Sequence, residues 1–219
     1  MLPLNRIMLS FEALGDNCEF GLVQRQAGVE PLGLLRFAGF HIPIEQRLAR
    51  LVDALDARFE GLGSLGTVRV ELAGEAGRRE FLVYENAWGL MYHTFQMEGQ
   101  VKPETLRSQE ARKLQFLRRK FLTDIEHGEK ILVWKSNLPL DEQQVERLVA
   151  RLRALGPNLL LWVEQADAAH PAGSVEARGD ALLKGYVDRF APYDDATAIS
   201  YEPWFRMCEE AYRLTRAMA

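Results

Sequence analysis

The chain has 219 residues, 47% of them apolar, which is enough for one domain with a sizeable core. Its formal net charge of -4 argues against a general nucleic-acid binder, which would carry a basic balance. No apolar run approaches the roughly 18 residues of a membrane span, and Asn5 and Arg6 interrupt the stretch a signal peptide would keep apolar, so a soluble cytoplasmic protein is expected.

In chain order, Ile7 to Leu14 reads as a first strand. Gly15 and Asp16 break it, and Glu19 to Ala27 reads as a helix with Asp16 or Asn17 as its N-cap and Gly28 as its stop. The segment 32–43 is apolar but interrupted by glycines and Pro43. Leu48, Leu51, Val52, Leu55 and Phe59 then recur at helical spacing over 44–59. From Thr67 to Phe95 the period switches to two: Val68, Val70 and Leu72 alternate, a Gly-rich turn follows at 73–77, and Phe81 to Tyr84 and Leu90 to Phe95 complete an antiparallel meander. Pro103 and Glu104 open a long helix to His127, with Leu106, Leu114, Leu117, Phe121 and Ile125 as its apolar stripe, a basic opposite face and Gly128 as its stop.

The clearest unit comes next. Ile131 to Trp134 is a continuous apolar strand, Asp141 with Gln144 forms a capping box, Val145, Leu148, Val149 and Leu152 share a helix face, Gly156 and Pro157 end it, and Leu159 to Val163 is a second apolar strand. That is a βαβ unit with parallel strands. Residues 165–173 read as a loop or internal boundary, 181–190 as a strand, 191–200 as a turn-rich loop and Pro203 to Met218 as a final helix. The expected fold is therefore α/β: a single domain over 1–219, subdivided at most near 165–173, with a mixed sheet that combines the parallel βαβ unit and the antiparallel meander, and helices packed on it.

Cys18 stands out for chemistry, because the first turn of a helix favours a thiolate. The plain alternative is a small buried residue. Cys18 and Cys208 lie at opposite ends of the chain without framework spacing, so both are expected as free thiols. Among the histidines, His127 sits at a helix end, His41 and His170 lie beside prolines, and His93 alone falls on a strand, where rigid backbone can aim an imidazole. The long helix carries Arg107, Arg112, Arg118, Arg119 and Lys120. They read either as a solvated face or, through Arg118 or Arg119, as a clamp for a phosphate or carboxylate. Trp134, Trp162 and Cys208 read as packing. No Walker loop, GxGxxG, HExxH or paired CxxC is present, and neither a cofactor nor a metal is expected.

Three blocks carry a family likeness: ALGDNCEFGLVQRQAG at 13–28, the aromatic-flanked His93, and LQFLRRKFLTDIEHGEKILVW at 114–134. Together they resemble an uncharacterised bacterial family labelled papain-like cysteine peptidases. The chain would be a divergent member, with Pro31-Leu32-Gly33-Leu34 in place of the family's Pro-Phe-Asp-Trp stretch and Thr94 in place of its aspartate. The resemblance implies a Cys-His site. In it His93 takes the thiol proton, Cys18 attacks a carbonyl, and backbone N–H groups with Asn17 and Asp16 support an oxyanion. Asn137, Asp194 and Asp195 are open choices for a third group that orients the imidazole. Two functional expectations result: a cysteine-dependent hydrolase or acyl transferase acting on an unidentified small molecule or peptide, or a non-catalytic binding or accessory module for an anionic ligand such as a sugar phosphate or a polysaccharide-assembly partner.

Overall fold

The computed structural model describes residues 2–30, 32–193, 195 and 198–218. The segment expected as one strand from Ile7 to Leu14 divides into a short helix α1 (Leu4–Met8) and a three-residue strand β1 (Phe11–Ala13). Ile7 and Met8 are fully buried, so burial on both sides of a short element erases the period that would separate helix from strand. The helix α2 (Glu19–Gln26) follows as expected. A two-residue strand β2 (Gly39–Phe40) and a 3-10 turn at Ile44–Gln46 precede α3 (Arg47–Asp56), which is shorter than the expected helix because Arg58 and Phe59 adopt left-handed backbone, with φ of 52° and 51°. Phe59 nonetheless remains in the core.

The meander comprises β3 (Val68–Ala73), β4 (Glu80–Glu85) and β5 (Leu90–Met97). Next, α4 (Pro103–His127) begins with its proline in the first turn and ends at Gly128 in left-handed backbone, φ 64°. β6 (Ile131–Lys135), α5 (Glu142–Leu155) and β7 (Leu159–Gln165) form the βαβ unit, with both halves of the Asp141/Gln144 capping box in place. β8 (Val175–Ala177), β9 (Leu182–Val187) and α6 (Tyr201–Met218) complete the chain.

The strands make two sheets. The larger has the order β1-β6-β7-β9-β8, with the first four parallel and β8 antiparallel at the edge; the smaller is antiparallel in the order β2-β5-β4-β3. This is the α/β fold expected, with a mixed larger sheet holding the βαβ unit and the antiparallel meander in a sheet of its own. Alternation along the buried parallel strands sorts the core. Leu132, Trp134, Leu160 and Trp162 face a cluster shared with α3, α4, α5 and the smaller sheet, while Ile131, Val133, Leu161 and Val163 face α1, α2 and α6. The side chain of buried Asn158 donates to Ile125 O and Leu152 O, both at 2.8 Å, and so satisfies carbonyls at the ends of α4 and α5. Among the described residues no helix is long and apolar enough to cross a membrane.

The basic face of α4 is only partly solvated. Arg107 donates to Val68 O at 2.9 Å and to Leu65 O, Arg118 donates to Arg58 O at 2.8 Å, and Lys120 pairs with Asp124. Arg107 and Arg118 thus fasten α4 to the segments around the smaller sheet, while Lys120 pairs within the helix.

Candidate functional site

The turn from β1 to α2 lies where the parallel strands end at their carboxyl edge, the edge on which open α/β sheets bind ligands. Gly15 and Asp16 take consecutive positive φ values of 99° and 74°. Asp16 tolerates this conformation better than most residues, and three distant segments hold it there. Its carboxylate accepts from Tyr193 Oη at 2.9 and 3.1 Å and from Arg47 Nη1 at 3.1 Å, its carbonyl accepts from the same guanidinium at 3.0 Å, and Lys135 Nζ stands 3.7 Å away. Gly39 packs so closely that a Cβ there would lie 3.0 Å from Asp16 O.

Lys135 ends β6 with a side chain 2% exposed, and its ammonium meets Glu19 Oε2 at 2.9 Å and Asn137 Oδ1 at 2.7 Å. Glu19, equally buried, accepts from Trp204 Nε1 at 3.1 Å and Ala191 N at 3.3 Å, and Asn137 donates to Ala191 O at 2.9 Å. The network is thus satisfied from within, as buried charges require. Asn137 serves it by tying Lys135 to residue 191. Asp195 lies in the same late loop, and Asp194 is outside the described residues.

Cys18 occupies the N-cap of α2, half-buried, and Asn17 Oδ1 accepts from Glu19 N at 3.0 Å across the same turn. Burial pushes the Cys18 thiol above its ordinary range and outweighs the opposing pull of Lys135 and of the helix start. His93 is on β5 of the other sheet, exposed, with Nδ1 3.0 Å from Glu80 Oε2. Among the described residues no imidazole lies within hydrogen-bonding distance of Cys18. The other histidines are occupied elsewhere: His41 against Tyr84, His127 on Thr123 O, and His170 on Asp167 and the Tyr186 ring. Cys208 is fully buried on α6, its thiol raised by burial.

His93 instead belongs to a cleft of about 350 Å³ between α2, the segment 32–38, β5 and α4. At its mouth Arg25 makes a bidentate pair with Glu30, at 2.9 and 3.0 Å, and Arg36 Nη2 meets the same carboxylate at 2.8 Å. The Arg25 hydrogen bonds, reinforced by the Arg36 charge, hold the Glu30 carboxyl below the usual range. Both guanidinia pack on Phe37, their central carbons 4.5 and 4.1 Å from its ring centroid. The register shift between β4 and β5 re-aims the opposite wall, where Phe95 takes a left-handed φ of 61° and stays 55% exposed. Glu80 braces that wall by accepting from Phe95 N at 2.6 Å while its other oxygen faces His93. A bulky residue held in left-handed backbone marks strain the surroundings impose; its ring, though half exposed, meets Phe37 edge-on at 6.1 Å and the Arg25 guanidinium at 5.2 Å. Exposed Phe116 from α4 continues the wall, and Lys113 lies over the Tyr92 ring.

The structure does not join Arg118 and Arg119 into a clamp, since Arg118 is engaged with Arg58 O and Arg119 points from the exposed side of α4. The arginine pair that does share an anion is Arg25 with Arg36. Two guanidinium residues and a phenylalanine flanking Glu30 within twelve positions was the signal in the sequence, but without helical or strand spacing it reads as loop. Among the described residues no group of His, Cys, Asp or Glu is placed to hold a metal ion. Comparison with protein-family models, curated proteins and solved structures returned no match to this chain.

Proposed function

We propose that the protein is a binding or accessory module that takes an anionic ligand in the cleft at Arg25 and Arg36. The observation that carries this reading is the capture of one exposed carboxylate, Glu30, by two guanidinium groups at the mouth of an aromatic-walled cleft. Guanidinium forks of this kind suit phosphate and carboxylate oxygens equally. Calorimetric titration with glucose 1-phosphate tests it: Arg25→Ala is expected to weaken binding at least tenfold, whereas Cys18→Ala leaves it unchanged. Equal affinity in Arg25→Ala and wild type would remove the cleft from consideration.

A second reading, thiol chemistry at Cys18 as the family resemblance implies, is favoured by one observation. The strained Gly15-Asp16 turn presents Cys18 between a parallel strand and a helix, a placement suited to a nucleophile. Its alkylation by iodoacetamide discriminates. Burial without an imidazole partner predicts a rate that keeps rising above pH 9 and is indifferent to His93→Ala. An inflection near or below pH 7 that His93→Ala abolishes would instead establish the Cys-His pair.

A further inference from the structure

Resting on the anion-binding reading, we propose that the cleft takes a phosphate monoester attached to a ring, with Glu30 as an internal stand-in for the phosphate. Glu30 is 55% exposed, so an incoming dianion can reach the guanidinia and compete with it for them. While it remains, it keeps two like charges side by side, and Phe37, against which both pack, helps hold them in place. The clamp is therefore organised before the ligand arrives, which is what lowers the ordering cost of binding. A carboxylate carries one charge where a phosphate monoester near neutral pH carries up to two, so the exchange favours the phosphate.

The rest of the cleft selects what the phosphate is attached to. Both guanidinia pack on Phe37 and Arg25 also reaches the Phe95 ring at 5.2 Å, but Phe95 and Phe116 remain about half exposed along the adjoining wall. Glu80, by accepting from Phe95 N, helps hold Phe95 in its left-handed conformation, in which the ring stays about half exposed. Such a wall offers a flat apolar surface to a ring, whether an aryl group or the C–H face of a sugar. An inorganic anion would use the clamp and leave the wall bare.

The experiment is calorimetry with three probes, inorganic phosphate, phenyl phosphate and glucose 1-phosphate, on wild type, Glu30→Gln, Phe95→Ala and Arg25→Ala. The expected pattern has at least one ring-bearing probe binding tenfold or more tighter than inorganic phosphate, an advantage lost in Phe95→Ala while affinity for inorganic phosphate is retained. Glu30→Gln is expected to tighten all phosphates several-fold by removing the internal competitor. Which ring-bearing probe gains distinguishes an aryl from a saccharide ligand. Equal affinity for all three probes, or no gain in Glu30→Gln, overturns the inference while leaving the anion site standing if Arg25→Ala still abolishes binding. Binding indifferent to Arg25→Ala defeats the underlying reading as well.

Discussion

Lys135→Met is expected to lower the unfolding free energy by about 3 to 5 kcal/mol, the range for removing one partner of a buried ion pair. The loss has little to do with the strength of the pair itself. Lys135 and Glu19 are each about 2% exposed, and without the ammonium the Glu19 carboxylate keeps only the neutral donors Trp204 Nε1 and Ala191 N. A buried carboxylate so served is far costlier than an amide in the same place. Glu19→Gln in the Lys135→Met background should therefore recover at least about 1 kcal/mol, because the charge left stranded is removed. Urea denaturation of the four members of the cycle measures this. A single-variant loss below about 1 kcal/mol, or strictly additive losses, would mean that water compensates the site.

Glu12 provides the second large effect, and its sign follows from protonation. On the opposite face of β1, Glu12 is 4% exposed, accepts from Leu34 N at 3.3 Å and lies 3.7 Å from Lys120. Burial pushes its carboxyl up from about 4.5 to about 7, against the pull of Lys120 and with the help of neighbouring Asp124. The folded state thus holds a proton that the unfolded chain releases near pH 4.5. The contribution to stability is full below that value, declines as pH rises toward 7 and is gone above it. The span corresponds to at most about 3 kcal/mol. Glu12→Gln mimics the protonated acid at every pH, so it should match wild type near pH 4.5 and exceed it by about 1 to 3 kcal/mol at pH 8. Thermal unfolding of both proteins across that range reads the difference directly, and a gap independent of pH would show that Glu12 titrates normally.

Local signals carried much of the fold. Pro103 in a first turn, Gly128 after a long apolar stripe, and Asp141 with Gln144 each act through neighbours a few residues away, and each marks its element in the structure where the sequence places it. Alternation between Leu132 and Val133 within one apolar run sends side chains to two different cores, so a continuous run correctly indicated a strand covered on both faces. The segment around Ile7 to Leu14 was less legible because a five-residue helix and a three-residue strand, both buried, show too few positions to define a period. The candidate site was legible as a place more than as a set of groups. Gly15, Asp16 and Cys18 marked the turn, but the side chains that hold it come from Arg47, Lys135 and Tyr193, and no spacing rule connects them. The same holds for the cleft. Its strained Phe95 is a property of a bulge and of Glu80, thirteen to fifteen residues earlier, and not of phenylalanine itself.

Consider when, during folding, the turn at Asp16 can come to rest. Its hydroxyl partner Tyr193 is 177 residues away, and three positions on, Glu19 waits for Trp204, 185 residues further along. On a growing chain these donors emerge after every strand of the larger sheet, and closing so wide a loop is slow compared with forming β6-α5-β7. Segment 11–19 is thereby expected to be among the last to be locked, its acidic side chains solvated until Tyr193 and Trp204 arrive. The left-handed aspartate therefore works as a fastening between segments 177 residues apart, and so wide a separation is expected to make it one of the later contacts to be drawn tight.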